Sequence, residues 1–303
     1  MTHGAKVWVA LATVYVIWGS TYLGIEVAGE TIPPLFAVSV RFIAAAGLLA
    51  AITYRLRGRR AFEMTLPQIG TAVLAGALLP GANAILFIAE QHVATGLSAL
   101  IIGSVPLWIV VLRVATGDRP QGAAVLAVLV GFAGLALLVR PSGGSSLAYL
   151  LLVVGSAVMW AVGSYLVTRL PMPRDSFAAT AVEMLAGGLL ILPIALSTTS
   201  PHPSDFSTRS IVGWVYLVTF GSVVGYTAYV WLLDNAPLGT VATYAYVNPV
   251  VAIALGAIVL DESLTWNVGL GAVLVLACVA VVVRGDRVPA AVVTDQAAAA
   301  PPR

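Results

Sequence analysis

From Ala123 to Val139 the chain runs 17 residues without one side chain able to form a conventional hydrogen bond. Such a run cannot face water, and it does not alternate as a half-buried strand would. A helix crossing a bilayer needs about 20 mostly apolar residues. Ten segments meet or approach that length: Val7–Ile25, Leu35–Tyr54, Ile69–Ala89, Thr95–Ala115, Ala123–Val139, Leu147–Leu166, Phe177–Leu196, Ile211–Leu233, Thr240–Leu260 and Val268–Val283. A transmembrane barrel would show alternating segments of about 10 residues instead. The spacing therefore predicts an all-α membrane protein with ten transmembrane helices. Short connections make neighbouring spans antiparallel and leave no room for a soluble domain.

The few charges agree. Charged residues make up 9% of the chain and hydrophobic residues 60%, whereas soluble domains carry roughly 25% charged residues. A net charge of +2 is too small for a nucleic-acid footprint. The single cysteine, Cys278, excludes an intramolecular disulfide and a Cys-cluster metal site. His3, His92 and His202 are too scattered for zinc, and no H-E-x-x-H is present. No metal and no cofactor are expected.

Arginine and lysine placement sets the expected orientation. With ten spans, both termini and the even-numbered loops share one side. That side holds Lys6, Arg55, Arg57, Arg59, Arg60, Arg113, Arg119, Arg169, Arg174, Arg284, Arg287 and Arg303; the other holds Arg140 and Arg209, and Arg41 lies within a span. Twelve against two places both termini in the cytoplasm of a multi-pass cell-membrane protein. The first span runs on past Trp18 and Tyr22, so it reads as retained rather than as a signal peptide. The Ala- and Pro-rich stretch at 285–303 cannot bury a core and is expected to be a disordered cytoplasmic tail.

The chain also aligns weakly with itself at a shift of 142–144 residues. Trp18 falls on Trp160, and Val40 to Ala44 falls on Val182 to Ala186, which sets Arg41 against Glu183. Gly96, Ala99, Pro106 and Asp118 fall on Gly239, Ala242, Pro249 and Asp261, and Arg140 falls on Arg284. Two repeats, 1–142 and 143–284, would each hold five spans. Five is odd, so the halves must cross in opposite senses. Inverted repeats are a transporter architecture with the substrate site near the midplane.

These residues resemble the EamA-type permeases of the drug/metabolite transporter superfamily. The resemblance rests on Trp18-Gly19-Ser20-Thr21-Tyr22, on Arg41-Phe42 followed by small residues, and on Ala94 to Ala99 leading to Pro106. In the second half it rests on Gly239 to Ala242, Asn248-Pro249-Val250-Val251 and Leu260 to Leu264. It runs from about Val7 to Val283 and implies a ten-helix carrier with two EamA repeats around a central cavity. The chain departs from the family pattern at Glu26, where many relatives place a lysine, at Glu90, and at Asp118-Arg119. The resemblance also implies that cavity walls come from the first, third and fourth helices of each half. Trp18, Tyr22, Asn83, Trp108, Trp160, Tyr226, Tyr229, Tyr244 and Asn248 fit that expectation. Ligand pockets are largely apolar with a few placed polar groups, which this set supplies.

Three charges stand apart. Arg41 and Glu183 each lie about six residues inside a span, where an ionised side chain costs roughly 2.5–3.5 kcal/mol on insertion scales. Each reads either as a pathway contact or as a structural or gating charge, and the family's arginines at this position resemble helix-orienting groups. Glu90, followed by Gln91 and His92, closes the third span and reads as a solvated edge or as a proton or amine site. Pro106 and Pro249 interrupt the fourth helix of each half, as static bends or as hinges that free carbonyls. Gly221-x-x-x-Gly225 suits close helix packing. Asp261-Glu262 suits the N-terminal end of the tenth span, where negative charge meets the helix dipole.

No enzyme constellation is present: there is no G-x-S-x-G, P-loop or paired histidine. The expected activity is secondary transport of small amphipathic metabolites, amino acids or related compounds, with export favoured. Arg41 alone does not suit polyphosphorylated solutes. Two alternatives stay open: proton-coupled multidrug efflux with Glu90 or Glu183 titrating, and a membrane scaffold or sensor whose midplane is filled by side chains. Expected partners are a small-molecule substrate and the lipid bilayer, with protons in the second reading. The protein acts as a monomer or homodimer.

Overall fold

The computed structural model describes residues 2–117, 122–138, 146–236, 238–241, 243–263 and 265–285. Asp118, Arg119, Arg140, Ala242, Arg287, Arg303, the junction between the two expected repeats and the 286–303 stretch lie outside the described residues. Among the described residues there is helix and no strand. The elements are α1 (His3–Gly29), α2 (Pro34–Arg57), α3 (Leu66–Glu90), α4 (Thr95–Ile102), α5 (Val105–Ala115), α6 (Gly122–Leu138), α7 (Leu147–Val167) and α8 (Ser176–Thr198). After them come α9 (Thr208–Tyr216), a π-helical segment (Leu217–Val224), α10 (Gly225–Asn235), α11 (Leu238–Val241), α12 (Tyr244–Val259) and α13 (Trp266–Gly285).

Each expected span falls on helix, with ends within four residues of those read from hydropathy. Seven helical stretches, counting Thr95–Ala115 and Thr208–Leu232 as continuous, are long and apolar enough to cross a membrane; Gly122–Leu138, Tyr244–Val259 and Trp266–Val281 are shorter. In lipid the backbone must satisfy its own polar groups, which is why apolar runs of this length become helices.

Local chemistry sets the ends. Proline opens α2, and Gly58 closes it at φ 74°, its N–H donating to Tyr54 O at 2.9 Å. Thr65 and Gln68 form a capping box at the start of α3, with Pro67 in the first turn. The Asp175 carboxylate accepts from the N–H groups of Phe177 and Ala178, both at 3.0 Å, and pairs with Arg57 at 2.7 Å. One acid thus caps α8 and ties it to the end of α2.

Two of the tightest pairings join counterparts of the two expected repeats. The closest partners are α2 with α8 and α6 with α13, and α3 lies against α7 and α8. Small residues allow this. A Cβ on Gly188 would lie 2.7 Å from Ile43 Cγ1 and 2.9 Å from Ser39 O, and Ser39 Oγ donates to Gly188 O at 3.0 Å. On the other pair, a Cβ on Gly134 would lie 2.8 Å from Leu274 Cβ. Lipid offers no hydrophobic drive for helix association, so close backbone approach and such hydrogen bonds take its place.

Three expected helices prove to be interrupted or altered. The fourth span breaks at Gly103-Ser104, two residues before Pro106, where Ser104 Oγ returns to Ile101 O at 2.6 Å. Pro249, expected at an interruption, instead lies inside α12, and the chain breaks earlier, between α11 and α12. Proline donates no N–H to the carbonyl four residues back. That carbonyl is Ala245 O, which faces Gly103 and would stand 3.2 Å from a Cβ there. The eighth span is not a uniform α-helix: Leu217–Val224 winds as a π-helix.

Candidate functional site

Two hollows share one set of walls. The wider, of about 620 Å³, is lined by residues of α1, α3, α5, α7, α8, α10, α11 and α12 and the α7–α8 loop. Its rim is the end of the bundle that carries Arg113, Arg169, Pro173 and Ser176. The narrower, of about 110 Å³, continues toward Ile25, Leu86 and Ala99. Trp18, Val105, Pro106, Trp160, Tyr226, Tyr244 and Ala245 line both.

Trp18 is the hub of an aromatic cluster. Its ring centroid lies 5.4 Å from that of Tyr226, 4.9 Å from Tyr229 and 5.2 Å from Tyr244, while Tyr229 and Tyr244 meet at 90°. Edge-to-face geometry of this kind is the preferred aromatic contact. The sequence builds it in two ways. Tyr226 and Tyr229 stand three apart on α10 and so share a face, directly after the π segment that resets the helical phase. Gly225 then leaves room for the indole, because a Cβ there would lie 2.5 Å from Trp18 Nε1. π-Helical turns inside longer helices recur at functional sites.

Polar groups punctuate the narrow end. Asn248 is buried and its Oδ1 has no hydrogen-bond partner. Asn83 Nδ2 donates to Leu79 O at 3.2 Å, within its own helix. Arg41, 4% exposed, donates from Nε to Ser222 Oγ at 3.0 Å and lies 5.1 Å over the Phe42 ring, with one terminal nitrogen unpartnered.

Of the expected cavity residues, the structure brings Trp18, Tyr22, Asn83, Trp160, Tyr226, Tyr244 and Asn248 to the narrow hollow and Tyr229 to the wide one. Trp108 lines neither. It packs edge-on against Phe132 at 4.6 Å and donates to Ser104 Oγ at 3.2 Å, a contact that supports the break before α5. Pro106 and Pro249 both line the narrow hollow. Arg41 and Glu183 form no ion pair with each other: Arg41 lines the narrow hollow and Glu183 the wide one.

The solvated-edge expectation for Glu90 is corrected. It is 2% exposed, and neither carboxylate oxygen has a hydrogen-bond partner. Glu26, Glu262 and Arg41 act on it electrostatically. His92, the plain loop residue beside it, stacks on Tyr149 at 3.8 Å. Glu262 is a second correction. Instead of opening the tenth span, which begins at Trp266, its carboxylate accepts from the N–H groups of Thr95 at 2.7 Å and Gly96 at 3.1 Å. An acid of the second half thus caps a helix of the first, where four N–H groups lack partners.

The profile of the EamA-like transporter family matches this chain twice, over residues 6–140 and 147–284. The chain belongs to the EamA-like transporter family. It is 33% identical over 250 residues to the uncharacterized inner membrane transporter YedA of Escherichia coli strain K12, covering 82% of this chain and 80% of that one. It is 26% identical over 291 residues to a probable amino-acid metabolite efflux pump of Salmonella typhimurium strain LT2, covering 91% and 94%. One solved crystal structure matches over 98% of this chain and 99% of its own with a TM-score of 0.63 at 19% identity, which shows the fold alone. This EamA-like transporter is therefore an all-α, multi-pass membrane protein of the drug/metabolite transporter superfamily.

The geometry adds what the sequence pattern missed. Ser222 holds the guanidinium of Arg41, Ser156 donates to Ala82 O at 2.7 Å in the wall, and Arg113 and Arg169 stand at the rim.

Proposed function

We propose that this EamA-like transporter is a secondary transporter that moves small amphipathic metabolites, amino acids or related compounds, out of the cell. All ten apolar helices cross the membrane, and the two five-helix halves run in opposite senses with both termini in the cytoplasm. Alternating access then rocks the halves about the aromatic cluster. The observation that carries the reading is the hollow itself. It is wide where Arg113 and Arg169 line it and narrow beyond Trp18 and Tyr244. A cavity between the two halves that narrows from one end toward the other suits an alternating-access carrier, whose substrate site lies between its repeats. A scaffold would fill its midplane instead.

The lining supports the substrate class: a large apolar surface with Asn83, Asn248 and one partnered arginine at its inner end. The Salmonella relative's description as a probable amino-acid metabolite efflux pump supports the same class and direction. The test is efflux from cells or proteoliposomes preloaded with aromatic or aliphatic amino acids. Saturable efflux that drops at least tenfold in Trp160→Ala supports the reading. Saturable flux of a sugar phosphate and of no amino acid would sink it.

The unpartnered carboxyl of Glu90 favours a second reading, proton-coupled multidrug efflux, in which this buried acid exchanges a proton as the far end opens. Efflux that ignores an imposed pH gradient contradicts it.

A further inference from the structure

Glu183 is the one carboxylate among the residues lining either hollow. It stands on α8, on the wall of the wide hollow, near enough to Tyr226 to act on it electrostatically. Among the described residues no hydrogen bond or ion pair reaches it. Arg41, its counterpart in the other half, is already held by Ser222 and lies in the narrow hollow. The basic groups of the wide hollow, Arg113 and Arg169, sit at the rim where α5 and α7 end, and Arg169 lies 4.7 Å over the Tyr165 ring. An acid at membrane depth is costly unless something neutralises it, and such residues face a partner or a water-filled path. Here the protein supplies the acid and leaves the partner's place open.

Beside it stands the aromatic cluster. The ring faces of Trp18, Tyr226, Tyr229 and Tyr244 are turned at 40–90° to one another with centroids 4.9–5.7 Å apart. The rings pack directly on one another and all four residues also line the wide hollow, and an aromatic face attracts an ammonium group within about 6 Å of its centroid. Carboxylate and rings favour the same charge, while the remaining apolar wall favours a hydrocarbon body.

Resting on the transport reading above, we infer that Glu183 and the Trp18 aromatic cluster form the recognition site for the ammonium group of the substrate, which is an organic amine carried on an apolar body. Glu183 pairs with the ammonium nitrogen, the rings flank its carbon neighbours from the wall of the hollow, and the apolar body extends toward Trp160. An amino acid enters by the same rule, amine first. A carboxylate-only solute of the same size is refused, because it would meet an unneutralised like charge.

Three probes of one shape separate the charges: phenethylamine, 2-phenylethanol and phenylacetate. Binding to the purified full-length protein is read by thermal shift and titration, and flux by proteoliposome counterflow. The amine is expected to bind at least tenfold more tightly than either of the other two. Glu183→Gln, which keeps shape and removes charge, is expected to weaken the amine at least tenfold and leave the alcohol within about twofold. Tyr229→Leu, which removes the ring, is expected to weaken the amine more than the alcohol. Equal binding of the three probes, preference for phenylacetate, no amine binding, or amine binding untouched by Glu183→Gln each overturns the inference. Charge-selective binding without counterflow of any solute leaves the site standing and contradicts the transport reading. Flux of the acid alone does the reverse.

Discussion

Glu262 shows how far a residue's role can lie from its own neighbourhood. In sequence it stands four residues before α13 and reads as that helix's N-terminal acid. In space it caps α4, 167 and 166 residues back, through Thr95 and Gly96. Nothing local announces this, because the partner comes from the other half of the chain. Glu90 differs from its expected place for a related reason: at the last position of α3 it has the place of an edge residue, yet it is buried within electrostatic reach of Glu26, Glu262 and Arg41 from other elements. Glu262→Ala removes two charge-assisted bonds from a part-buried helix end. It should lower stability by about 1–3 kcal/mol, read as a fall in Tm in detergent, with Glu262→Gln intermediate. An unchanged Tm in Glu262→Ala would show that the cap carries no weight. Ser222→Ala strips a hydrogen-bond acceptor from the buried guanidinium of Arg41. Hydrogen bonds to charged groups contribute about 1.5–3 kcal/mol, so this small deletion should cost more than Ser197→Ala, whose hydroxyl is exposed. Equal melting temperatures for the two would contradict the assignment.

At the scale of elements, hydropathy was enough to place the helices and not enough to describe them. Apolar runs fix where a chain can enter lipid, since only helix satisfies the backbone there. They are blind to phase. Leu217–Val224 is an apolar run that would suit α-helix as well as π-helix, so the turn that brings Tyr226 and Tyr229 to Trp18 is not legible from composition. The aromatic set was legible one residue at a time; its assembly was not. Trp108 illustrates the converse, an aromatic at a plausible depth that faces Phe132 rather than the hollow. Gly225 is the joint between π segment and cluster. Gly225→Ala would press a methyl group against the Trp18 indole and should displace the hub. The expected result is at least a fivefold loss of transport with a Tm within a few degrees of the parent. Full transport by Gly225→Ala would mean that the cluster's geometry does not matter. The close pairs behave differently: Gly188→Leu should separate α2 from α8 and cost assembly itself, seen as loss of folded protein in the membrane fraction.

Across the molecule, α2 on α8 and α6 on α13 join counterparts of the expected repeats, around a hollow whose inner walls come from both halves. That arrangement suits a carrier whose halves exchange roles, and the mismatch between them is where this chain becomes individual. Arg41 stands opposite Glu183 in the repeat, one engaged by Ser222 and one facing the wide hollow without a partner. The hollow as the path of transport is the central claim. A single cysteine in the chain makes it directly testable, since Cys278→Ser gives a background without thiols. In that background Ser164→Cys places a thiol on the wall of the wide hollow. Counterflow of an aromatic amino acid or amine is then measured before and after a bulky, membrane-impermeant thiol reagent is applied from the arginine-bearing side. Abolished counterflow in Ser164→Cys, prevented by saturating substrate and absent in the thiol-free parent, is the predicted result. Labelled Ser164→Cys protein that transports at the unlabelled rate would contradict the account.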